Sequence, residues 1–247
     1  MSLVEPVPGE PAAVAEVGSE RALVVADFHA GVEAALRAEG VSLDSRADER
    51  RERLFSLVER VAPDRVIFLG DLMHAIGDPG GAERGEIEVL LERLDERGVA
   101  ATLVKGNHDG AIESWVDCEV TDGDGIRLGD VGFAHGHTWP APEVLSAAVV
   151  CVGHEHPAVR LTDEVGGSRV ERVWLRGPLA REAFAERAAS VRAGAELVVF
   201  PAFNDLAGAT WVNVEGQGFL APFLPEASPS AEAYLLDGTR LGEYPAV

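Results

Sequence analysis

The sequence has little of three things: lysine, cysteine and long apolar runs. Lys105 is the only lysine among 21 basic residues, so arginine carries almost all of the positive charge. The two cysteines, Cys118 and Cys151, are too few for a disulfide framework and lack metal-ligand spacing, so we expect buried free thiols. No apolar run approaches the roughly 20 residues that span a bilayer, and residues 1–20 lack the features of a secretory signal. We therefore expect a cytoplasmic protein without membrane segments.

Acidic residues, in contrast, are abundant. The chain has 42 Asp and Glu against 21 Lys and Arg, a net charge of −21 and an isoelectric point near 4.6. Such a surface repels itself in dilute salt, whereas in molar salt the Debye length falls to about 3 Å and the repulsion is screened. We interpret the acidity as that of a protein from a salt-loving host. Because proteins of such hosts carry an acidic surface whatever they bind, the acidity is only a weak argument against nucleic acid as a substrate.

The first half of the chain alternates apolar runs with amphipathic stretches. Buried strands are predicted within 21–29, 66–69 and 99–104, because these runs are apolar without a break. Helices are predicted over 45–61 and around 87–94, where apolar residues recur at helical spacing, with a mobile, glycine-rich loop over 75–84. This alternation predicts βαβ units and a mostly parallel sheet.

The second half has shorter apolar runs separated by turn signals. Between about 116 and 173 this texture suggests antiparallel strands, and it is followed by a predicted helix over 181–191 and a final hairpin around Asp237-Gly238. No linker-like break or internal repeat is visible. We predict one domain over 1–247, in which 195–247 is a C-terminal extension packed on the core.

All seven histidines occupy the same kind of position in the sequence. Each lies in a short motif directly after an apolar run, where Asp27, Asp71 and Asn107 also lie. The carboxyl ends of strands are where α/β sheets bind ligands. A single histidine there is usually a packing residue, but seven indicate a shared site. They are His29, His74, His108, His135, His137, His154 and His156.

The mixture of imidazole and carboxylate groups predicts a metal site. It suits first-row ions such as Mn²⁺, Fe²⁺ or Zn²⁺, and the lack of thiolates argues against a closed structural zinc site. A carboxylate can bridge two ions, and two ions about 3.5–4 Å apart can hold a hydroxide and neutralise charge on phosphoryl oxygens. Phosphoester hydrolysis is the chemistry that such a cluster favours.

These residues fall into five short motifs, which in chain order are Asp27-Phe28-His29, Gly70-Asp71, Gly106-Asn107-His108-Asp109, His135-Gly136-His137 and Gly153-His154-Glu155-His156. The five motifs resemble, in order, those of the calcineurin-like metallophosphoesterases. Gly70-Asp71-Leu72-Met73-His74 further resembles the SbcD-type nucleases and the ICC-like archaeal phosphoesterases related to them. The resemblance implies a four-layered α/β/β/α sandwich with a metal site at the strand ends.

The resemblance also assigns roles to individual residues. It implies two divalent metal ions bridged by Asp71, for which we expect Mn²⁺, with Fe²⁺, Zn²⁺ or Ni²⁺ as alternatives. It makes His108 the proton donor to the leaving alkoxide, a task suited to an imidazole because its pKa lies near neutrality. One ion would be held by Asp27, His29 and His156, and the other by Asn107, His135 and His154.

The role of His74 is open. Serine/threonine phosphatases of the superfamily have an aspartate at this position, which orients the histidine equivalent to His108. We expect His74 to hydrogen-bond His108 or to hold the substrate phosphate, and mere packing is the alternative. His137 is expected beside the ligands, and Asp109 and Glu155 are expected to orient neighbours or face solvent.

The predicted function is metal-dependent hydrolysis of a phosphodiester, either a nucleotide or a nucleic acid. His74 favours the diester. The alternatives are a phosphomonoesterase acting on a small substrate and a non-catalytic binding scaffold with the same fold. The intact ligand positions argue against the scaffold.

Overall fold

The first of two facing β-sheets contains the parallel strands predicted from the N-terminal half. The structure is a computed structural model that describes residues 2–77, 79–163, 165–187 and 191–247. Strands β3 to β6 run parallel, and β1 and β2 extend one edge in antiparallel fashion. In spatial order the strands are β1 (Val4–Pro6), β2 (Ala12–Val17), β3 (Glu20–Val25), β4 (Arg65–Leu69), β5 (Ala100–Val104) and β6 (Glu119–Thr121).

Three helices connect these parallel strands: α1 (Val32–Ala38), α2 (Ala47–Val61) and α3 (Gly81–Asp95). The apolar stripe of α2, which includes Leu54 and Val58, packs with Phe28 and Phe68 in one core cluster. Helix α3 starts inside the segment that was predicted as a loop. Its first turns contain the buried carboxylates Glu83 and Glu86, which accept hydrogen bonds from loop backbone. These bonds offset the low helix propensity of glycine there.

The second sheet is mixed, so the prediction of an antiparallel C-terminal half is only partly correct. Strands β8 and β9 are parallel, as are β9 and β12, whereas β7–β8, β10–β11 and β11–β12 are antiparallel. Parallel neighbours need a crossover connection, and between β8 and β9 it includes the short helix α4 (Pro142–Leu145). Along the sheet lie β13 (Thr210–Trp211), β10 (Pro157–Thr162), β11 (Ser168–Pro178), β12 (Glu196–Val199), β9 (Val149–Val152), β8 (Val131–Ala134) and β7 (Ile126–Leu128).

The C-terminal part of the chain contributes strands to this second sheet. β12 lies between β9 and β11, so residues 195–247 supply an interior strand as well as chain packed on the core. β14 (Glu232–Leu235) pairs with β11 and with β15 (Arg240–Glu243), which confirms the predicted hairpin around Asp237. The division of the chain into one domain with an extension stays a prediction.

The predicted α/β sandwich of two sheets is confirmed. One apolar cluster fills the space between the sheets, and others lie on their outer faces. The outer layer of the second sheet is thin: α4, a 3₁₀ helix over Arg181–Arg187 and irregular chain cover it. That 3₁₀ helix replaces the predicted α-helix over 181–191, of which residues 188–190 lie outside the described residues.

Both cysteine thiols are free, with Cys151 buried and Cys118 half-buried. Burial raises the pKa of the Cys118 thiol to about 11, so it is protonated at neutral pH. Over the described ranges, none of the helices has the length and apolar content that crossing a bilayer demands.

Candidate metal centre

The predicted site residues gather where strands of both sheets end. Asp27 follows β3, Asp71 follows β4 and Asn107 follows β5, all on the first sheet. His135 follows β8 and His154 follows β9 on the second sheet. The strands deliver these side chains to one edge of the sandwich because β3, β4 and β5 are parallel to one another, as are β8 and β9.

The histidines and aspartates form three groups, and within each group the donor atoms lie within 4.8 Å of one another. One group contains Asp27, His29 and His156, the set that the resemblance implies for one ion. Another joins His135 and His154 to Asp71, the implied bridging residue. Asn107 joins the second set, since its Oδ1 lies 3.2 Å from His135 Nε2. We call Asp27, His29 and His156 the first group, Asp71, His135 and His154 the second group, and His29, His74 and His108 the third group.

The donor atoms of the first group fit a divalent cation. His156 Nδ1 donates a hydrogen bond to the Gly208 carbonyl at 2.9 Å, so Nε2 carries the free lone pair. That Nε2 atom is buried, lies 3.3 Å from Asp27 Oδ1 and has no hydrogen-bond partner within the described structure. His29 Nδ1 is likewise buried without a partner there. An unpaired buried nitrogen beside a carboxylate, as His156 Nε2 is, is expected of a metal ligand.

The second group is arranged around His135. Its Nδ1 donates to the Leu69 carbonyl at 2.7 Å, which directs Nε2 toward Asp71 Oδ1 at 3.4 Å and Asn107 Oδ1. Burial lowers the pKa of His135, but the hydrogen bond and charge of Asp71, with the charge of Asp27, outweigh it and raise this pKa to about 9. Without metal, His135 is therefore protonated at pH 7. A bound cation would replace this proton on Nε2.

Electrostatics prepare the other donors for a cation as well. Burial raises the pKa of Asp27 and Asp71, but neighbouring histidines outweigh it, and both carboxyl pKa values lie below their ordinary range. Burial lowers the pKa of His29 and His154 to about 4. At neutral pH the site thus offers two buried carboxylates and two neutral imidazoles.

Five of the candidate ligands have a left-handed backbone. The φ angles are 56° at Asp27, 47° at His29, 48° at Asp71, 66° at His154 and 43° at His156. In the described chain, the other non-glycine residue with positive φ is Ala62. Each such conformation costs about 1–3 kcal/mol and persists where the surroundings enforce it, typically at functional sites.

Two glycines allow the strand-end turns to approach one another. A Cβ atom on Gly70 would lie 2.2 Å from His135 Nδ1, and one on Gly106 would lie 2.1 Å from Asp71 Oδ1. Both distances are far below van der Waals contact. Any side chain at these positions would displace a candidate ligand.

His108 lies at the open side of the cluster. Its backbone N–H donates to Asp71 Oδ1 at 2.9 Å, and its Nε2 lies 3.8 Å from Asp71 Oδ2. Its Nδ1 donates to the backbone carbonyl of His74. The predicted contact between these two histidines therefore uses the His74 backbone, while the two rings stack with centroids 5.7 Å apart. The His74 ring itself belongs to the third group, and its centroid lies 5.3 Å from that of His29.

The remaining predicted residues lie around the ligands. The His137 ring is 5.3 Å from that of His135, and His137 lies outside the three groups. Asp109 is buried and accepts hydrogen bonds from the N–H groups of Met73 and Gly106. Burial raises the pKa of Asp109 to about 6. Glu155 is buried and accepts hydrogen bonds from the N–H groups of Leu220 and Ala221.

Two supporting residues are absent from the sequence prediction. Glu83 accepts hydrogen bonds from the N–H groups of His74 and Ala75 at 2.6 and 2.9 Å. The sequence feature that could have indicated Glu83 is its position four residues before Ile87, which places a carboxylate on the apolar face of a helix. Asn204 donates to the carbonyls of Phe28 and His29. No sequence pattern indicates Asn204, because it acts on backbone 175 residues away.

A cluster of histidines and aspartates at the strand ends of a two-sheet sandwich can hold divalent metal ions. The model of the calcineurin-like phosphoesterase family matches residues 20–176, and the chain belongs to this family. It is a phosphoric ester hydrolase, and its histidine–aspartate cluster is a divalent-metal site.

Comparison with solved structures finds one that shares the fold and two with weaker similarity. Nuclease MPE of Pseudomonas putida superposes with a TM-score of 0.58 at 18% identity, covering 96% of this chain and 100% of that one. The phosphoesterase Yfce of E. coli gives a TM-score of 0.35 at 20% identity, covering 57% and 73%. A predicted phosphoesterase of Streptococcus pneumoniae gives 0.32 at 13% identity, covering 89% and 91%. The comparison with curated proteins found no match.

Proposed function

We propose that the chain hydrolyses phosphodiesters, in a nucleotide or a nucleic acid, with two divalent metal ions. The position of Asp71 carries this proposal. Its Oδ1 lies 3.4 Å from His135 Nε2 in the second group, and its Oδ2 lies 3.9 Å from His29 Nε2 in the first group. One carboxylate thus faces both ligand sets with separate oxygens, an arrangement that suits a bridge between two ions.

The nitrogen and oxygen donors suit divalent first-row ions, and we propose Mn²⁺, with Fe²⁺, Zn²⁺ and Ni²⁺ as alternatives. Two such ions would supply a nucleophile at neutral pH and positive charge for the phosphoryl oxygens. Asp71 would contact both ions. The first would be held by Asp27, His29 and His156, and the second by Asn107, His135 and His154.

His108 is the proposed proton donor to the leaving alkoxide. Because its Nδ1 donates to the His74 carbonyl, a second proton on the ring must sit on Nε2, the atom 3.8 Å from Asp71 Oδ2. The donated proton therefore comes from the ring edge that faces the cluster. General acids of this kind contribute about 10²–10⁴-fold to the rate.

Two observations support a diester over a monoester. Burial, with the charge of His108, lowers the pKa of His74, which favours the neutral ring, and a neutral ring suits a diester monoanion better than a monoester dianion. A cavity of about 300 Å³ also borders His156, with Ala158, Arg172 and Gly208 in its wall. This space can hold the second esterified group. The motif from Gly70 to His74 supports a place among the SbcD-related archaeal phosphoesterases.

A substrate panel assayed with Mn²⁺ in high salt tests the proposal. It contains bis-p-nitrophenyl phosphate, p-nitrophenyl phosphate, cyclic nucleotides, and single- and double-stranded DNA, since the Pseudomonas putida structure is that of a nuclease. We expect faster turnover of diesters than of the monoester, abolished by EDTA. A preference for the monoester would contradict the diester proposal. The absence of any metal-dependent turnover would indicate a scaffold.

Two variants separate metal binding from proton donation. Asp71→Asn should lose metal and activity together, because the bridging carboxylate loses its charge. His108→Ala should keep its metal and slow substrates with poor leaving groups about 10²–10⁴-fold, with a smaller effect on p-nitrophenyl esters. Metal content is measured by mass spectrometry, with Asp237→Asn in the distant hairpin as the control. Equal metal loss in Asp71→Asn and His108→Ala would refute the division of roles.

A further inference from the structure

A segment outside the family-matched residues holds the turn that carries Asp27 and His29. We call residues 202–208 the latch. Ala202 bridges Ala26 in parallel, and the N–H of Phe203 donates to the Ala26 carbonyl at 2.8 Å. The N–H of the next latch residue, Asn204, donates to the Asp27 carbonyl at 3.3 Å. The latch thus lies alongside the segment that directly follows β3 and is hydrogen-bonded to it.

The Asn204 side chain completes this attachment. Its Nδ2 donates to the carbonyls of Phe28 and His29 at 3.0 and 3.1 Å, and its Oδ1 accepts from the Leu206 N–H at 2.9 Å. The residue is 4% exposed, so water does not replace these bonds readily. Asp27 and His29 both have positive φ. One buried amide therefore fixes the carbonyls around a turn whose conformation is intrinsically unfavourable.

The latch also holds the third member of the first group. The Gly208 carbonyl accepts the hydrogen bond from His156 Nδ1, which leaves Nε2 directed at Asp27. His156 too has positive φ. All three residues of the first group are thus supported by the latch, either through their own carbonyl or through their ring.

The second group is supported from elsewhere. His135 is oriented by the Leu69 carbonyl. The His154 N–H donates to the Asp27 carboxylate, whereas the latch binds the Asp27 carbonyl. Within the described ranges, the hydrogen bonds from the latch to the cluster end on residues of the first motif and on His156. The support of the two ligand sets is therefore asymmetric.

We propose that the latch sets the affinity of the first metal site alone, with Asn204 as its main positioning residue. This inference rests on the proposed two-metal function. Partners that orient ligands without touching the metal typically contribute 10- to 100-fold to affinity. Substitution of Asn204 should therefore weaken metal binding at the first site by this factor, while the affinity of the second site stays unchanged.

Asn204→Asp is the informative variant, because it keeps the size and the acceptor for Leu206 but places a carboxylate oxygen against two carbonyls. Asn213→Asp is the matched control, since Asn213 Nδ2 donates to the Arg160 and Val247 carbonyls away from the cluster. Mn²⁺ binding is measured by equilibrium dialysis. We expect two sites in the unchanged protein and in Asn213→Asp. Asn204→Asp should keep one site unchanged and weaken the other about 10- to 100-fold.

Double variants identify the weakened site. His135→Ala should leave the first site, and adding Asn204→Asp should then remove tight binding. His156→Ala should leave the second site, where Asn204→Asp should have no effect. If Asn204→Asp weakened Mn²⁺ binding equally in both backgrounds, or in neither of them, the proposal that the latch supports the first site alone would be overturned.

Two further outcomes separate this inference from the function on which it rests. Fewer than two Mn²⁺ ions bound by the unchanged protein would contradict the dinuclear proposal itself. Two ions bound equally well by Asn204→Asp would contradict only the latch. Folding is checked by thermal melting in EDTA, with Asn204→Ala as a second variant that adds no charge. Loss of the cooperative transition in both variants would show a fold-wide role and overturn the inference.

Discussion

Protonation of single histidines decides how the metal-free site behaves with pH. His135 has its pKa raised to about 9, because the hydrogen bond and charge of Asp71 outweigh its burial. His29 and His154 have their pKa lowered to about 4 by burial. All three depart from an ordinary value of 6.5, but in opposite directions. Their effects on stability therefore have opposite signs.

From the contributions of His29, His135 and His154, we predict that the metal-free protein is most stable near pH 6.5. The raised pKa of His135 gives stability that is present below pH 6.5 and lost as the pH rises through about 9. The lowered pKa of His29 and His154 gives stability that is present above pH 6.5 and lost as the pH falls through about 4. The melting temperature in EDTA, recorded between pH 4 and 9.5, measures both the alkaline and the acid loss of stability.

The metal-loaded protein is the control for this prediction. A coordinated imidazole is deprotonated already, so saturating Mn²⁺ should remove the alkaline loss of stability. A melting temperature in EDTA that rises from pH 6.5 to 9 would contradict the assignment of a raised pKa to His135.

Residue types predicted much of this site, but not its supports. The histidines at strand ends carry their chemistry in the side chain, so a repeated position was enough to group them. The contact of His74 with His108 uses a backbone carbonyl, which any residue could provide. Asn204 and Gly208 act on chain that is distant in sequence. A contact made by a backbone group leaves no pattern in the sequence, because every residue has the same backbone. A contact between distant segments has no characteristic sequence spacing by which it could be recognised.

At the scale of elements, the turns after the strands depend on close approach. We predict that Gly106→Ala weakens Mn²⁺ binding by at least about tenfold, because its Cβ would lie 2.1 Å from Asp71 Oδ1 and 2.3 Å from the Asp71 backbone nitrogen. Gly85→Ala in α3 is the control, since its Cβ would meet no atom within 4 Å. It should raise stability by about 0.5–1 kcal/mol and leave metal binding unchanged. Unchanged metal binding in Gly106→Ala would contradict the steric argument.

Periodicity predicted some elements better than others. Helix α2 was predicted over 45–61 and spans Ala47–Val61, because its apolar stripe is regular. The start of α3 was missed, since three glycines and two buried glutamates obscure the pattern. In the second sheet, the apolar runs marked strands but not their direction. Strand direction follows from the length of the connections and from pairing, neither of which a short apolar run contains.

At the scale of the whole molecule, the net charge of −21 predicts that stability depends on salt. Arginines offset part of this charge locally, as Arg50 does between the buried Glu33 and Glu86. The remaining repulsion is long-range and is screened by salt. We predict that the melting temperature rises by several degrees between 0.1 and 2 M KCl, concentrations that we choose for the assay. A neutral osmolyte at equal osmolality is the control. A protein no more stable at high salt would contradict the halophilic interpretation.

The latch has a consequence for the order in which the molecule is made. Synthesis proceeds from the N-terminus, so Asp27 and His29 leave the ribosome long before Asn204 does. Until then the His29 carbonyl lacks its hydrogen bond from Asn204, which lies 175 residues further along the chain. The nascent chain can contain every candidate ligand while the proposed first metal site still lacks the latch. This site is therefore among the last parts of the molecule to mature.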